Sequence, residues 1–385
     1  MNILFASDMS FNFIEKCPEE QVIKDGMSEV SSLFAEADYS IVNLENIFGN
    51  KEAYKPIPKS GPNLISDDSF AGYIEALNPS VVGLANNHTG DFGKEAIFHT
   101  IDILKEKGYP CIGAGENIND AYRPYLIERD GVRVGIVAVC ENEFGCAKPT
   151  EAGAAGYSLS LVNKAIKNLK ENGYMSVIYF HGGNEYNPFP SPGKKELYRH
   201  FIDIGASAVV AMHTHCPQGF EIYDGKPIVY SMGNFFFPAG GGLGSLKSWS
   251  YGYMTRLEIE KNEISITTIP YCFTEKGICL LRGDELKNFR KYLKRISNVI
   301  QDDALLREYF ESWCTYRGYL YSRFIKFEED YLKDNSKKVA ETRNIFYCEA
   351  HCEMIREFLQ LCYENRVEEA KCRLEEIKRL QNMEI

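Results

Sequence analysis

The sequence predicts an α/β fold, a layered arrangement around a largely parallel sheet, followed by a C-terminal helical region. Three observations predict it. Apolar strand-like runs alternate with helical patterns over the first two thirds of the chain, as in βαβ units. From Phe220 the runs become short and are separated by Asp-Gly, Gly-rich and Lys-Asn turns, as in antiparallel hairpins. Beyond Gly283 glycine is scarce and apolar residues recur at three- and four-residue spacing, as in Leu305–Tyr309–Trp313. Two regions are therefore expected, residues 1–282 and residues 283–385.

The strand-like runs are Ile3–Ala6, Ser40–Val42, Val81–Ala85, Arg133–Val139, Val177–Phe180 and Ala208–Met212. Helical patterns fall at Lys94–Lys107, Ser160–Glu171 and Gly193–Ile204. The antiparallel strands are placed at Glu221–Tyr223, Ile228–Tyr230, Tyr253–Ile259 and Ile264–Ile269. Three or four helices follow, with Gly318 expected to interrupt or bend one of them. Leu374, Ile377 and Leu380 lie on one stripe of a charged final stretch and indicate a partly exposed amphipathic helix.

Composition bounds the function. Of 385 residues 44% are hydrophobic and 25% charged, the balance of a globular chain with a large core. A net charge of −11 argues against a nucleic-acid binder, which needs basic surface to neutralise phosphates. The N-terminus has no basic n-region, and Asp8 breaks its short apolar run, so no signal peptide is read there. The longest uncharged run, Pro227–Leu246, holds Asn234, Pro238 and several glycines and is no membrane helix. Twelve cysteines without framework spacing are read as reduced thiols, and the chain as cytoplasmic.

Metal-capable side chains stand at one strand end after another. Asp8 closes the first run. Asn43 and Glu45 close the second, Asn87 and His88 the third. His181 follows Val177–Phe180, and His213 and His215 follow Ala208–Met212. Carboxylate, amide and imidazole are the ligands of Zn, Mn or Fe, and open α/β sheets build sites at the carboxyl ends of their strands. A two-metal hydrolase needs a bridging carboxylate, neutral imidazoles and an open position for water. Glu45 suits the bridge, and Asp8, Asn87, His181, His213 and His215 the other positions. His213 and His215 alternate, so on a regular strand both would share a face. His88, beside a ligand, suits a general acid for the leaving oxygen.

Those residues also carry a resemblance. Asn43-Leu-Glu45, Asn86-Asn-His88 with Asp91-Phe-Gly93, His181-Gly-Gly-Asn-Glu-Tyr186 and His213-Thr-His215 resemble the motif series of the bacterial poly-γ-glutamate capsule synthesis family (CapA type). Tyr223–Phe237 is similar to the same family. The resemblance covers roughly residues 1–270. The family looks like a branch of the calcineurin-like metallophosphoesterases. It implies a four-layer α/β/β/α sandwich, one or two divalent metal ions, and Glu45 standing where the bridging Asp sits. The chain departs from the phosphoesterase pattern at Asp8-Met9-Ser10, where Asp-x-His is usual. One imidazole is missing, so one of the two metal positions is expected to be the weaker.

The resulting expectation is a metal-dependent hydrolase acting on a phosphoester or related bond of a small molecule or polymer. Glu45, Asn87, His181 and His213 would hold the better-formed metal, Asp8 and His215 the weaker. Asn43, Glu185 and Tyr186 are expected at the substrate. The alternative is a non-catalytic accessory protein of capsular polymer synthesis whose C-terminal helices bind a partner. Glu141 and Glu143 are read as a solvated loop, Asn86 and Asn234 as buried hydrogen-bonding residues, and His99, His200 and His351 as ordinary helical residues. Cys348 and Cys352 are read as helical core, and Cys111–Gly115 as a turn.

Overall fold

The computed structural model describes residues 1–238, 245–261, 263–329, 333 and 336–384. The Gly-rich turn expected at 239–244 and the second residue of the Lys-Asn turn, position 262, lie outside the described residues.

Two main sheets lie face to face. The first runs, edge to edge, Gly277–Leu280, Glu263–Thr274, Tyr251–Glu260, Asn2–Met9, Tyr39–Leu44, Val81–Gly83 and Cys111–Ile112, with Asn234–Phe236 also pairing with Asn2–Met9. Its strands from Asn2–Met9 to Cys111–Ile112 are parallel, and the hairpin strands from Tyr251 onward are antiparallel. The second sheet runs Phe220–Tyr223, Lys226–Val229, Ala208–Met212, Met175–His181, Val132–Cys140 and Tyr125–Arg129. Its four central strands are parallel and both edge pairs antiparallel. Parallel strands covered on both faces must be apolar along their whole length, which is why Ile3–Ala6, Val177–Phe180 and Ala208–Met212 read as continuous runs and are fully buried. The sheets meet at Tyr179, whose hydroxyl donates to Ala6 O at 2.6 Å and whose ring packs on Phe5.

Helices cover the outer faces. Glu20–Glu36 buries Ile23, Met27, Val30 and Phe34, a stripe at helical spacing, and packs with Ala71–Leu77 against the first sheet. Leu159–Glu171 and Pro192–Asp203 lie on the second sheet. The result is the expected α/β/β/α sandwich.

Residues beyond 282 form the helices Gly283–Gln301, Asp303–Ser322, Ser336–Tyr347, Glu349–Tyr363 and Leu374–Gln381 among the described residues, more than the three or four expected. They share one continuous apolar core with the sandwich through Phe289, Tyr292, Leu306, Trp313, Phe358 and Ile377. Gly318 does not break its helix. It sits inside the unbroken Asp303–Ser322, and the ring of Phe358 occupies the space a Cβ would need, 2.2 Å from its Cγ. A helix crossing this close requires glycine, whatever its poor helix propensity.

No described helix is long and apolar enough to cross a membrane. All twelve cysteines are free thiols.

Candidate metal centre

The carboxyl ends of the parallel strands of both sheets converge, and the charged residues there are buried together. Asp8 is the penultimate residue of the strand Asn2–Met9. Its Oδ1 accepts from Asn43 Nδ2 at 2.8 Å and its Oδ2 from the backbone N–H of His213 at 2.8 Å. The first sheet thus aims Asp8, and the second holds it. Asn43, expected at the substrate, is 1% exposed, and its amide is taken up by Asp8 and by Asn86 Nδ2 at 3.3 Å. It orients Asp8. Asn86 also donates to Leu44 O and receives the His88 N–H, which fixes the turn that presents Asn87 and His88.

Glu45 is at the centre. Its Oε1 lies 3.3 Å from His181 Nε2 and 4.0 Å from His88 Nε2. His181 Nε2 is also 3.6 Å from Asp8 Oδ1. Two groups of ligand atoms, each mutually within 4.8 Å, can be drawn: Glu45, His181 and His213; and Asp8, Glu45 and His215. Glu45 belongs to both. Asn87 follows on the adjacent loop, with its Oδ1 buried and unpartnered.

The His213/His215 pair does not lie on a strand. The strand ends at Met212, and both histidines take positive φ, 101° and 54°. Non-glycine residues rarely adopt such backbone, and it persists only where the surroundings impose it. The turn sends the two imidazoles to different groups, where a regular strand would have set them on one face. His215 Nδ1 lies 2.7 Å from Asn234 Oδ1, so Nδ1 carries the proton and Nε2 is free. Tyr186, itself at φ 64°, stacks on the His215 ring and on Trp249.

The electrostatics suit a cation. Burial, followed by the neighbouring Glu45 charge, pushes the Asp8 carboxyl up to about 6. Burial likewise raises Glu45. Burial lowers His181 to about 4 and lowers His213 as well, so both stay neutral and can ligate at neutral pH. His215 is raised, because Glu45, Glu185 and the bond to Asn234 outweigh its burial. Both Glu45 oxygens and His181 Nε2 are buried with no hydrogen-bond partner. Orphaned buried carboxylate oxygens are costly. A divalent ion would satisfy them, and the mixed N/O donor set is of the kind that holds Zn, Mn or Fe.

Beside the cluster His88 Nδ1 lies 2.7 Å from Asp91 Oδ2, and Lys59 Nζ lies 2.6 Å from Asp91 Oδ1. Lys59 Nζ is 3.2 Å from His88 Nδ1, the longer of that atom's two contacts, so Nδ1–H is assigned to Asp91 and Nε2 turns to the cluster. Burial would raise Asp91, but the His88 and Lys59 charges hold it below the usual carboxylate range. Lys59, 3% exposed, carries no signal in the sequence.

Glu141 and Glu143, read as a solvated loop, are 2% and 7% exposed. Glu141 pairs with buried Lys194 and accepts the Gly183 N–H, so it holds the loop after His181. Glu143 Oε1 lies 3.6 Å from His213 Nε2. The loops carrying His88 and Glu143 approach so closely that a Cβ on Gly90 would lie 2.3 Å from Gly145 Cα. His351, read as ordinary, faces the same region, hydrogen-bonding Tyr321 at 3.4 Å. A cleft of about 1210 Å³ reaches Glu143 between residues 142–152, Gly90–Lys94 and Arg343–Tyr347.

Comparison with known proteins decides the family. The model of the bacterial capsule synthesis protein family PGA_cap matches residues 6–239, more than half of the chain. The chain belongs to that family. The matched segment holds all the metal-capable residues above, and the C-terminal helices lie beyond it. The capsule biosynthesis protein CapA of Bacillus anthracis is 30% identical over 219 residues, 55% of this chain and 53% of that protein. The PGA biosynthesis protein CapA of Bacillus subtilis (strain 168) is 27% identical over 236 residues, 60% and 62%. A probable polyglutamine synthesis accessory protein of Mycobacterium tuberculosis (strain ATCC 25618 / H37Rv) is 29% identical over 174 residues, 42% and 46%. The chain thus spans only about half to three fifths of these relatives.

Proposed function

We propose that this PGA_cap protein is a metal-dependent hydrolase acting on a phosphoester or related bond in capsular, poly-γ-glutamate-like polymer metabolism. One observation carries the reading. Glu45 belongs to both ligand groups and has two buried oxygens without partners, which is what a carboxylate shared by two cations requires. His181, His213 and Asn87 would complete one site, and Asp8 and His215 the other. Bound there, such ions supply Lewis acidity and a water of lowered pKa. The chain's own residues do the rest. Asn43 and the His213 N–H aim Asp8, and Asn234 fixes the His215 tautomer. His88, protonated at Nε2 and stabilised through Nδ1 by Asp91, gives its proton to the leaving oxygen. Glu185 and Tyr186, on the loop after His181, would contact the substrate.

A second reading, a non-catalytic accessory protein of polymer synthesis, is favoured by Ser10, whose buried hydroxyl has no partner where a ligand imidazole is usual. It is also favoured by the word accessory in the name of the Mycobacterium tuberculosis relative. Turnover of bis(p-nitrophenyl) phosphate by Mn- or Zn-loaded protein, abolished in Glu45→Ala, supports the hydrolase. Metal binding without turnover of any phosphoester or peptide bond moves the reading to the accessory protein.

A further inference from the structure

The metal-capable residues all lie in the segment matched by the family, yet the carboxylate that faces one of them is held from outside it. His213 turns Nε2 towards Glu143 Oε1 at 3.6 Å, just beyond hydrogen-bond range, while its Nδ1 is buried with no hydrogen-bond partner. Glu143 is itself held by the C-terminal helix Ser336–Tyr347. Asn344 Nδ2 donates to Glu143 Oε2 at 3.3 Å, and Arg343 Nη1 donates to the Glu143 backbone oxygen at 3.0 Å. Asn344 also donates to Ser60 Oγ, on the loop that carries Lys59. The residues Asn344, Glu143 and His213 therefore form a line from the C-terminal helices to the metal centre.

A histidine that ligates through one nitrogen and gives its other N–H to a carboxylate is fixed in tautomer and orientation, and becomes the more basic ligand. Removing such a partner costs 10- to 100-fold in metal affinity. We propose that Glu143 is the positioning residue of His213, that Asn344 positions Glu143, and that the C-terminal helical region is therefore a working part of the metal centre. This rests on the proposed metal site. It goes beyond that reading by assigning the tail a role in how tightly one of two ions is held, with no partner protein needed. The ion affected is that of the Glu45–His181–His213 group, and the ion at Asp8 and His215 is the internal reference.

The experiment is a titration of the metal-free full chain with Co²⁺ and with Zn²⁺, for the parent, Glu143→Gln and Asn344→Ala. It is read by calorimetry and by the Co²⁺ visible spectrum, with melting curves as a check on folding. The expected result for Glu143→Gln is a 10- to 100-fold weaker dissociation constant at one site, with a changed Co²⁺ band, and an unchanged constant at the other. Asn344→Ala should weaken the same site by a smaller factor, about 2- to 10-fold, and it keeps the proposal testable if Glu143→Gln folds poorly. A role in general stability alone would lower melting and weaken both sites alike, which overturns the proposal. Parent-like constants at both sites in both variants also overturn it while leaving the metal reading standing. No metal bound by the parent overturns both.

Discussion

His181 Nε2 and Glu45 Oε1 face each other at 3.3 Å, both buried and neither hydrogen-bonded. Burial keeps the imidazole neutral and raises the carboxyl, and a cation bound beside them would give both atoms the partner they lack.

The two ligand groups should not be equal. Asp8 and His215 lack the imidazole that Ser10 replaces, while on the proposed assignment Asn87, whose Oδ1 is buried without a partner, would join His181 and His213. His215→Ala should cost the loosely held ion and leave the tight one. His213→Ala should release the tight one. Equilibrium dialysis of each variant against Zn²⁺ checks this, and two equally tight sites in the parent would contradict it.

His88 is held by Asp91 and sits beside the ligands, so its loss should touch chemistry and spare metal content. His88→Asn should lower turnover of an ester with a poor leaving group by about 10²- to 10⁴-fold, and far less for an activated one. Lys59→Met should act in the same direction more weakly, because it removes one of the two cations facing Asp91. Kinetics on two leaving groups with elemental analysis decide it. Loss of metal from His88→Asn would make that residue a ligand.

Glu143 gives a pH prediction with a definite sign. Burial, followed by Glu185, pushes its carboxyl up to about 8. A raised carboxylate means the unfolded chain loses its proton first, so Glu143 costs the metal-free fold stability as pH rises from about 4.5 to 8. The cost approaches 1.4 kcal/mol per pH unit. Glu143→Gln removes it. In metal-free protein the variant should be close to the parent in stability at pH 4.5 and clearly more stable at pH 8, by urea denaturation. A gap that is constant with pH would show that Glu143 does not titrate in this window.

Much of this was legible in the sequence because strand ends and ligand residue types are local signals. Asp8, Glu45, Asn87, His181, His213 and His215 all stand within a few residues of an apolar run, and the structure brings all but Asn87 into two groups of ligand atoms that share Glu45. What was not legible depends on tertiary packing. Lys59 lies in a loop with no periodicity, and only its burial against Asp91 marks it. Glu143 follows a strand as any solvated loop carboxylate does, until Asn344, some two hundred residues later, covers it. The outer strands Tyr125–Arg129 and Gly277–Leu280 went unread, since short or mixed patterns give weak periodicity, and the helix Glu20–Glu36 went unread although Ile23, Met27, Val30 and Phe34 recur at helical spacing. Gly318 was read as a break because propensity says nothing of the Phe358 ring waiting for the space.

That contact makes a stability prediction. Gly318→Val forces a branched side chain into the Phe358 ring and overpacks the crossing of Asp303–Ser322 with Glu349–Tyr363. It should destabilise the protein by about 1–3 kcal/mol. Thermal denaturation checks this, and a variant as stable as the parent would show that the helices can part at no cost.

The most direct test of the account is elemental analysis of the parent and Glu45→Ala, purified without chelator and then soaked in Mn²⁺ or Zn²⁺. A carboxylate shared by both groups predicts at least one equivalent of transition metal in the parent, rising towards two on soaking, and near-complete loss of both from Glu45→Ala. Less than a tenth of an equivalent in the soaked parent, or a Glu45→Ala variant that keeps its metal, would contradict it.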